Sequence, residues 1–386
     1  MRVVVAGFGD TGVLVAIHLG AGFEVVGIST KPCLVSGQEL GTRLARPEVW
    51  KQDYLMPFSR YERLDDVRVV QGRITSMDSD AQSLTVERPD GETQLEPYDA
   101  LVISSGVTNG FWRNDAMEDM TRIGRGIEEA AAQIASASRI AIVGGGATGV
   151  SVSANVKAQY PHTDVHFFFS ETQPLPGYHP KVRSRIEARL RKAGVVLHPE
   201  HRAVIPEGFD CNRFTRGPVE WSTGQPAFDA DLVLWSVGRV RPNTSFVPAD
   251  MLDERGFVRT DEFLRVPGYE NVFAVGDVAA TDPNRSSARN WGYRIVAHNV
   301  RATLEGKPKR MKRFEAPPYR WGSILGVQDD GLRVFQPNGG SFRFPLWAVR
   351  KLLFPLAVGK LIYKGIRPAQ SKKERASAGR RSDSAL

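Results

Sequence analysis

Two glycine-rich loops constrain the fold of this 386-residue chain more than any other feature. The first lies in VAGFGDTGVLVA, which begins at Val5, and the second in VGGGATGVSVSA, which begins at Val143. Each places Gly-x-Gly-x-x-Gly between a hydrophobic run that predicts a buried strand and small apolar residues that predict a helix. A dinucleotide-binding loop needs this strand–turn–helix context, so its presence twice predicts two separate dinucleotide sites.

The glycine spacing in each loop has a physical reason. The glycines are Gly7, Gly9 and Gly12 in the first loop and Gly144, Gly146 and Gly149 in the second. The first glycine permits the tight turn out of the strand, and the second lets a pyrophosphate approach the bare backbone. The third allows helix and strand to pack closely, with the anion at the helix N-terminus. We expect the neighbouring residues to share these sites, namely Phe8, Asp10 and Thr11 in the first loop and Ala147 and Thr148 in the second.

Composition excludes several other classes of protein. The two cysteines, Cys33 and Cys211, are far apart and form no Cys-x-x-Cys motif, so we expect no disulfide framework, no metal site and no dithiol redox motif. No uncharged apolar run approaches the ~18 residues of a membrane-spanning helix. The N-terminus leads directly into the strand-like run VVVAG rather than a signal peptide. These features predict a cytoplasmic protein.

Charge is distributed unevenly along the chain. Residues 301–386 contain 19 Lys and Arg against 6 Asp and Glu, a local net charge of +13, whereas the remaining residues carry a net −5. A mildly acidic body with a basic C-terminal region indicates a local anionic partner. It argues against a protein that binds nucleic acid, and we expect no nucleic-acid partner.

Hydrophobic periodicity predicts the remaining elements. Strands are expected at 2–6, 24–29, 139–143, 165–170, 231–238, 257–266 and 271–277, with hairpins around 67–103 and short strands within 319–343. Helices are expected at 11–20, 126–137, from the second loop to about 159, at 181–193 and at 286–304.

The chain up to about residue 304 resembles the two-dinucleotide-binding-domain flavoprotein reductases. The matching residues are the two glycine loops, the Ser104-Ser105-Gly106 turn where that family usually has Ala-Thr-Gly, Gly238, and Gly276-Asp277. The resemblance implies an α/β fold with two Rossmann-like domains, the second inserted in the first, and a small C-terminal α+β region. The implied boundaries are 1–110 with 241–311 for the FAD domain, 111–240 for the NAD(P)H domain, and 312–366 for the C-terminal domain.

The same resemblance implies the cofactors and further contact residues. FAD is expected on the first domain and NADH or NADPH on the second. Asp277 is implied to bind the ribityl or phosphate part of FAD, and Arg43 matches an arginine that contacts the flavin nucleotide in related reductases. The remaining candidates are Ser29, Lys31, Ile74, Ser104, Ser105, Gly106 and Gly276 for FAD, and Ser170, Glu171 and Gly238 for NAD(P)H.

One branch of this superfamily fits better than the others. The disulfide-reductase branch needs a redox-active cysteine pair near the flavin, which this sequence lacks. The blocks ATGVSVSANVKAQYPHTDVHFFFS and ADLVLWSVGRVRPN resemble type II NADH dehydrogenases and apoptosis-inducing-factor-like, ferroptosis-suppressor-type quinone reductases. That branch implies hydride transfer from nicotinamide C4 to flavin N5, followed by electron transfer to a quinone-type acceptor, with no catalytic side chain and no metal.

The ribose contacts depart from the usual pattern. A Rossmann domain usually ends its second strand with an acid that binds the adenosine ribose. Here the first domain offers Ser29 or Lys31 at this place, and the second offers Ser170 with Glu171 one step later. Arg183 or Arg185 would meet a 2′-phosphate, although charges on a basic helix are usually only solvated. The choice between NADH and NADPH therefore stays open.

The acceptor side also departs from the family. Quinone-binding dehydrogenases carry an Ala-Gln-x-Ala-x-Gln helix facing the flavin, and the matching stretch here is SSARNWGYRIVAHN. Ala288 is retained, whereas Arg289, Trp291 and Tyr293 replace smaller residues. Either the acceptor pocket is narrower and built differently, or the acceptor is not a ubiquinone-like ring.

The segment 344–364 is a candidate membrane-binding element. It carries four basic residues beside an apolar face of Trp347, Leu353, Phe354, Leu356, Val358 and Leu361. Pro355 is expected to divide it into two short helices. Apolar faces with Trp and flanking basic residues are typical of helices in the membrane interface, here the cytoplasmic face. The same segment would otherwise form a lid on the body or a homodimer face. Residues 367–386 are expected to be a basic disordered tail.

Two other functions remain open at this stage. The first is a soluble NAD(P)H-dependent flavin reductase or oxidase that delivers electrons to a small iron protein or to oxygen, with the basic C-terminal region docking an acidic partner. The second is a non-catalytic, redox-sensing flavoprotein.

Overall fold

The computed structural model describes residues 1–368, so the predicted tail lies almost entirely outside the described residues. Its strands are β1 Arg2–Ala6, β2 Glu24–Ser29, β3 Leu34–Val35, β4 Leu55–Met56, β5 Val67–Gln71, β6 Arg73–Asp78, β7 Ser83–Glu87, β8 Thr93–Pro97, β9 Ala100–Ile103, β10 Val107–Thr108, β11 Arg139–Val143, β12 Asp164–Phe168, β13 Val196–His198, β14 Thr215–Val219, β15 Phe228–Trp235, β16 Arg241–Pro242, β17 Val272–Ala274, β18 Val327–Gln328, β19 Gly331–Phe335 and β20 Ser341–Phe344. Its α-helices are α1 Asp10–Leu19, α2 Leu40–Ala45, α3 Pro47–Tyr54, α4 Met120–Ser136, α5 Ala147–Gln159, α6 Pro180–Lys192, α7 Gly292–Leu304 and α8 Leu346–Ala348.

The first sheet contains five parallel strands in the order β17-β9-β1-β2-β5. Its central strand β1 reads RVVVA, and Val3, Val4 and Val5 are fully buried. Such a continuous apolar run is expected where both faces of a parallel sheet are covered. Helices α1 and α7 cover one face, where Val13 and Ile17 share a core with Val296 and Val300. The antiparallel sheet β6-β7-β8 packs on the other face.

The second sheet has the order β13-β12-β11-β15-β14, with four parallel strands and β14 antiparallel at one edge. Helix α5 follows β11 as α1 follows β1. The chain passes between the two sheets twice, and the short antiparallel pair β10-β16 joins the two crossings. This is the α/β fold with two Rossmann-like units that the sequence predicted, with the second unit inserted between β10 and β16.

Two of the predicted elements were wrong. Residues 257–266 form no strand, because the Asp261 carboxylate accepts hydrogen bonds from the Phe263 and Arg265 amides and bends the chain, with Leu264 left-handed at φ 61°. The helix expected at 286–304 is broken. A 3₁₀ turn, Ser286–Ala288, precedes α7, and Trp291 between them is also left-handed.

The C-terminal region contains a small antiparallel sheet, β18-β19-β20, followed by α8. Helix α8 continues without interruption into a wider helix of the π type, Val349–Ile362, and we call the whole element the C-terminal helix (346–362). The expected break at Pro355 is therefore wrong. An i→i+5 helix is wide enough to relieve the clash between a proline ring and the preceding turn that breaks an ordinary α-helix.

Candidate cofactor sites

A cleft of about 680 Å³ opens at the carboxyl ends of the first parallel sheet. This is the edge at which open α/β sheets bind their ligands. The predicted FAD residues that line it are Gly7, Phe8, Gly9, Asp10, Thr11, Ser29, Lys31, Arg43, Ile74, Ser104, Ser105, Gly106 and Asp277. Gly12 and Gly276 lie just behind this lining. The structure thus brings together residues that lie up to 270 positions apart in sequence.

The first loop is fixed by close backbone packing. Gly7 has a φ of 98°, and a Cβ there would lie 2.3 Å from the Cα of Ser105. A Cβ on Gly12 would lie 2.1 Å from the carbonyl oxygen of Gly7. The Ser104 hydroxyl donates a 2.7 Å hydrogen bond to the same oxygen. These contacts hold the loop against the turn that follows β9.

Gly9 differs, because a Cβ there would meet no atom within 4 Å. The same holds for Gly106 across the cleft. Gly9 is also the N-cap of α1, and no side chain caps that helix, so its first amides are available to an anion. A cleft with bare backbone at both of these glycines fits a dinucleotide such as FAD.

Asp10, in the first turn of α1, orders the neighbouring loop. Its carboxylate accepts hydrogen bonds from the Ser36 hydroxyl at 2.7 Å, the Gly37 amide at 2.9 Å and the Gln38 side chain at 3.3 Å. Asp10, which was predicted to contact FAD, therefore supports residues 36–38, which form one wall of the cleft.

The two candidate ribose contacts on the first domain have different surroundings. Ser29 is buried, and its hydroxyl accepts a hydrogen bond from the Lys31 amide at 3.0 Å. The Lys31 ammonium is held by Asn114 at 3.0 Å and by an ion pair with Glu118. Burial lowers the pKa of Lys31, and Glu118 opposes that shift. Glu118 thus brings a carboxylate to this corner of the cleft, where β2 ends without an acid, and this carboxylate is paired with Lys31.

Asp277 forms an ion pair with Arg113, at 2.5 Å between the carboxylate and the guanidinium. Burial alone would raise the pKa of Asp277, but the positive charges of Arg113, Arg289 and Arg320 hold it below its ordinary value. The carboxylate therefore stays ionised. It faces the cleft beside Arg113, whose guanidinium reaches across to Gly37.

Arg43 and the 104–106 turn complete the cleft wall. Arg43 donates to the Trp112 carbonyl at 3.1 Å and lies over the Trp50 ring at 5.0 Å, and burial lowers its pKa to about 10. Asn243 secures the turn, because it donates to the Ser105 carbonyl at 3.0 Å, and the Ser105 hydroxyl donates to its backbone carbonyl at 2.7 Å.

The second loop repeats the packing of the first. Gly144 has a φ of 121°, and a Cβ there would lie 2.2 Å from the carbonyl oxygen of Ser236. A Cβ on Gly149 would lie 2.2 Å from the Gly144 oxygen. Gly146 caps α5 with no side-chain bond, and a Cβ there would meet no atom within 4 Å, as at Gly238. The residues therefore fit a second dinucleotide. Ala147 and Thr148 form the first turn of α5.

The residues after β12 are solvent-exposed. Ser170 and Glu171 are both exposed at the carboxyl end of that strand. Arg183 donates to the carbonyl oxygens of Gln173 and Pro174, at 2.8 and 3.0 Å, so it supports the loop that follows Glu171. Arg185 instead reaches Ser341 in the C-terminal sheet at 2.7 Å. Of the two arginines suggested for a 2′-phosphate, only Arg183 lies beside this loop.

The predicted acceptor residues do not share one surface. Ala288 lines the large cleft together with Arg289. Trp291 is 41% exposed and stacks with Arg294, whereas Tyr293 is buried against His18. The left-handed Trp291 turns the chain between them, so Trp291 and Tyr293 are not among the residues that line the cleft.

Sequence reasoning missed several cleft residues. Arg113 and Glu118 come from the segment between β10 and α4, and Asn243 from the return crossing. Arg213 and Phe214 also reach the cleft, from the second unit. None of these residues belongs to a periodic pattern. Only Asn243 could have been found from the sequence, because it ends the block ADLVLWSVGRVRPN that resembles the quinone-reductase branch.

Two curated relatives and one solved structure show what the chain is similar to. Ferroptosis suppressor protein 1 of Taeniopygia guttata is 27% identical over 275 residues, covering 70% of this chain and 71% of the relative. Type II NADH:quinone oxidoreductase Ndh of Mycobacterium tuberculosis is 27% identical over 294 residues, covering 65% and 61%. The structure of reduced Bacillus anthracis CoADR-RHD superposes with a TM-score of 0.65 at 17% identity, covering 84% of this chain and 60% of that one.

The family assignment rests on a match over most of the chain. The family described as pyridine nucleotide-disulphide oxidoreductase matches residues 1–306, which include both glycine loops and Asp277. Its members use FAD and NAD(P)H, in agreement with the two loops and the cleft described above. The chain therefore belongs to the pyridine nucleotide-disulphide oxidoreductase family.

Proposed function

We propose that this protein is an FAD-dependent NAD(P)H oxidoreductase that passes electrons to a quinone-type acceptor at a membrane surface. Membership of an NAD(P)H-dependent flavin oxidoreductase family supports the first half. The similarity to the mycobacterial type II NADH:quinone oxidoreductase supports the second. The observation that carries the membrane part is a row of exposed apolar side chains on the C-terminal helix.

The chain's own residues would bind and orient the two cofactors. When bound, FAD and NAD(P)H supply the hydride and electron chemistry, and the protein supplies position and electrostatics. Gly7 to Gly12 and the N-terminus of α1 would hold the FAD pyrophosphate. Asp277, paired with Arg113, would present a fixed negative charge to the ribityl region. The second loop would hold the NAD(P)H pyrophosphate.

The position of Arg213 and Phe214 supports electron transfer between the two sites. Both residues precede β14 in the second unit, yet both line the cleft of the first. Phe214 packs against Phe111 at 4.7 Å between ring centroids. The second unit therefore forms part of the wall around the proposed flavin site. This is the arrangement that a nicotinamide would need in order to reach a flavin.

The C-terminal helix presents an apolar surface to solvent. Trp347 is 62% exposed, Leu361 67%, Leu352 47% and Leu356 45%. Arg350, Lys351 and Lys360 are exposed beside them. Leu353, Phe354 and Val358, which we expected on the apolar face, are partly buried on the protein side. Among residues 1–368, no helix is both long and apolar enough to cross a bilayer. An interfacial helix fits this pattern.

The helix is anchored to the first unit rather than placed over the cleft. Tyr363 packs on the fully buried Tyr61 at 5.1 Å, Ile366 bridges to Tyr61, and Arg367 pairs with Asp65. No residue of 344–364 is among those lining the cleft. The described structure therefore gives no support to the lid alternative, whereas a dimer face stays open. Because Tyr363 and Ile366 pack against the core of the first unit, deleting the segment would damage the fold.

Steady-state oxidation of NADH and NADPH, each with a panel of quinones and with oxygen alone, tests the proposed activity. We expect a yellow protein that absorbs near ~450 nm, owing to bound flavin. We also expect quinone-dependent oxidation well above the rate with oxygen. Fast turnover with oxygen alone, and no gain from any quinone, would exclude the quinone-type acceptor.

Point variants test the membrane surface without removing the anchor. Trp347→Ser combined with Leu361→Ser should weaken flotation with phospholipid vesicles by at least about 10-fold, because both side chains are exposed and apolar. Leu95→Ser is the matched control, since Leu95 is 68% exposed on β8. Equal flotation of all three proteins would contradict the membrane part of the proposal.

The exposed basic residues of the C-terminal region support a second candidate, a reductase that docks a small acidic iron protein. In that case the double variant at Trp347 and Leu361 would leave electron transfer unchanged. Salt would instead slow the reaction steeply, since steering between charged surfaces is screened.

A further inference from the structure

A second, smaller basin lies on the surface between four segments of the chain. It encloses about 600 Å³ and is separate from the cofactor cleft. Its walls come from the last turn of α1, from one face of α7, from Lys312 in the segment after α7, and from the residues at the end of the C-terminal helix. The lining residues are His18, Arg294, Ala297, His298, Arg301, Lys312, Leu361 and Lys364.

The charge of this basin, which we call the basic basin, is of one sign. Arg294, His298 and Arg301 follow each other at helical spacing on α7. Lys312 and Lys364 face them from outside the helix, and no carboxylate is among the lining residues. The basin has four Lys and Arg residues, and among residues 1–368 only Arg301 of these has a carboxylate within 4.0 Å. That carboxylate belongs to Glu305, which also pairs with Lys307 at 2.9 Å.

Three side chains of α7 that line the basin are held in place by other contacts. Arg294 stacks over Trp291 at 4.4 Å, and Arg301 donates to the Leu19 carbonyl. His298 bonds to the Arg310 carbonyl at 2.8 Å. Burial lowers the pKa of Lys364, and the nearby charges of Arg63, Arg294 and Arg301 lower it further. The basin thus concentrates like charges whose repulsion an anion would relieve.

The basin also adjoins the exposed apolar row. Leu361 lines it and is 67% exposed, and Lys360 precedes it on the C-terminal helix. A bilayer that accepted the Leu361 side chain would bring its headgroup layer level with Lys364. The apolar side chain and the cations therefore lie next to each other, as the acyl chains and the headgroup of one lipid do.

We propose that the basic basin binds the phosphate-bearing headgroup of an anionic phospholipid. Guanidinium groups bind phosphate in a planar, two-point manner, and Lys adds a mobile point charge. The adjoining Leu361 favours a lipid over a free phosphate or an acidic protein, since neither of those needs an apolar contact there. This inference rests on the membrane part of the proposed function and adds to it the lipid class and its binding site.

Flotation of the flavin-loaded protein tests the inference. The vesicles are phosphatidylcholine alone, and phosphatidylcholine with phosphatidylglycerol. Lys312→Gln with Lys364→Asn removes two cations, and Asn suits the left-handed backbone of Lys364, which has a φ of 53°. We expect the double variant to lose binding to anionic vesicles by on the order of 30-fold, while binding to phosphatidylcholine is unchanged.

The matched control is Arg125→Gln with Arg216→Gln, since both arginines are exposed and lie on α4 and β14, outside the basin. An equal loss in both double variants would mean general charge attraction and would overturn the site. Full competition by millimolar inorganic phosphate would identify a free-phosphate site and overturn the lipid. Wild-type protein that floats equally with both vesicles would overturn the inference but leave membrane association standing. Wild-type protein that floats with neither would overturn both.

Discussion

The two glycine loops have nearly the same internal packing, yet their surroundings differ. In both, a Cβ on the first glycine would clash with the strand-end turn opposite, and a Cβ on the third would clash with the first glycine. The first loop, however, faces a cleft of about 680 Å³. The second is followed by exposed residues at Ser170 and Glu171. The loop motif therefore specifies pyrophosphate geometry, and the surroundings decide how firmly the nucleotide is held.

With FAD proposed at the first site and NAD(P)H at the second, this difference would separate a resident cofactor from a substrate. A deep cleft that removes most of a ligand from water favours slow release. The first site also has an internal framework, with Asp10 securing residues 36–38 and Arg113 paired with Asp277. An open second site suits a nucleotide that must leave after each turnover. We therefore expect FAD to stay bound during purification and NAD(P)H to exchange rapidly.

The largest effect is expected from Gly9→Val. Its side chain would enter the cleft where the pyrophosphate is expected, yet would meet no protein atom within 4 Å at Cβ, and the φ of −88° suits any residue. We expect a folded protein that has lost flavin binding by at least about 100-fold, since backbone approach to the phosphate is blocked. The ratio of flavin to protein absorbance measures this, with circular dichroism as the control for folding. A yellow, fully loaded variant would contradict the assignment of this loop.

The matching change in the second loop is Gly146→Val. Its Cβ also meets no atom within 4 Å, at a φ of −78°. This variant should keep its flavin, while the KM for the nicotinamide cofactor rises by about 10- to 100-fold. Steady-state kinetics with NADH and NADPH measure the effect. Loss of flavin from this variant would remove the distinction between the two sites.

The sequence predicted the parts of these sites that depend on local chain geometry. A strand, a glycine turn and a helix are encoded within about 20 consecutive residues, so both loops, α5 and β11 were correctly predicted from the glycine motif and the apolar residues around it. The helix at 286–304 failed because the backbone is left-handed at Trp291, where φ is 61°. A Cβ on the adjacent Gly292 would lie 2.5 Å from the Ser287 carbonyl oxygen, which shows how tightly the chain turns there.

The walls of the cleft were harder to predict. Arg113 and Glu118 lie in a segment without periodicity, and their partners Asp277 and Lys31 are 164 and 87 positions away. Such long-range ion pairs have no signature in a single sequence. The predicted apolar face of the C-terminal segment was correct for Trp347, Leu356 and Leu361 but not for Leu353, which is partly buried. A π-type helix turns less per residue than an α-helix, which places Leu352 outward and Leu353 inward.

The two regions should respond to pH in opposite directions. Burial raises the pKa of Glu39, beside the first site, to about 7, because its Oε2 is shielded from solvent without a hydrogen-bond partner. The folded state then binds this proton more tightly than the unfolded state, so stability is lost as pH rises from about 4.5 to 7.

Burial, with His166 and His201, lowers the pKa of His198 in the second region to about 4. Its contribution is lost as pH falls from about 6.5 to 4.

Thermal unfolding of variants between pH 4 and pH 8 measures both effects. In Glu39→Gln, the unfolding free energy lost as pH rises from about 4.5 to 7 should be smaller than in the wild type by on the order of 2 kcal/mol. His198→Gln should reduce only the acid-side loss. Identical pH profiles for wild type and both variants would show that neither group titrates as its burial implies.

The smallest effect concerns the acid displaced by one position after β12. If the Glu171 carboxylate reaches the ribose of the nicotinamide cofactor, it favours the 2′-hydroxyl of NADH and repels the 2′-phosphate of NADPH. Glu171→Gln should then raise the KM for NADH by about 3-fold and lower that for NADPH, because the charge is lost and the shape is kept. Glu200→Gln is the matched control, since Glu200 is exposed and its amide bonds to the Glu171 carbonyl at 3.1 Å. A change in the ratio of the two KM values that occurs equally in both variants would reflect general surface charge. A change confined to Glu171→Gln would mean that an acid beyond the strand end serves the second site.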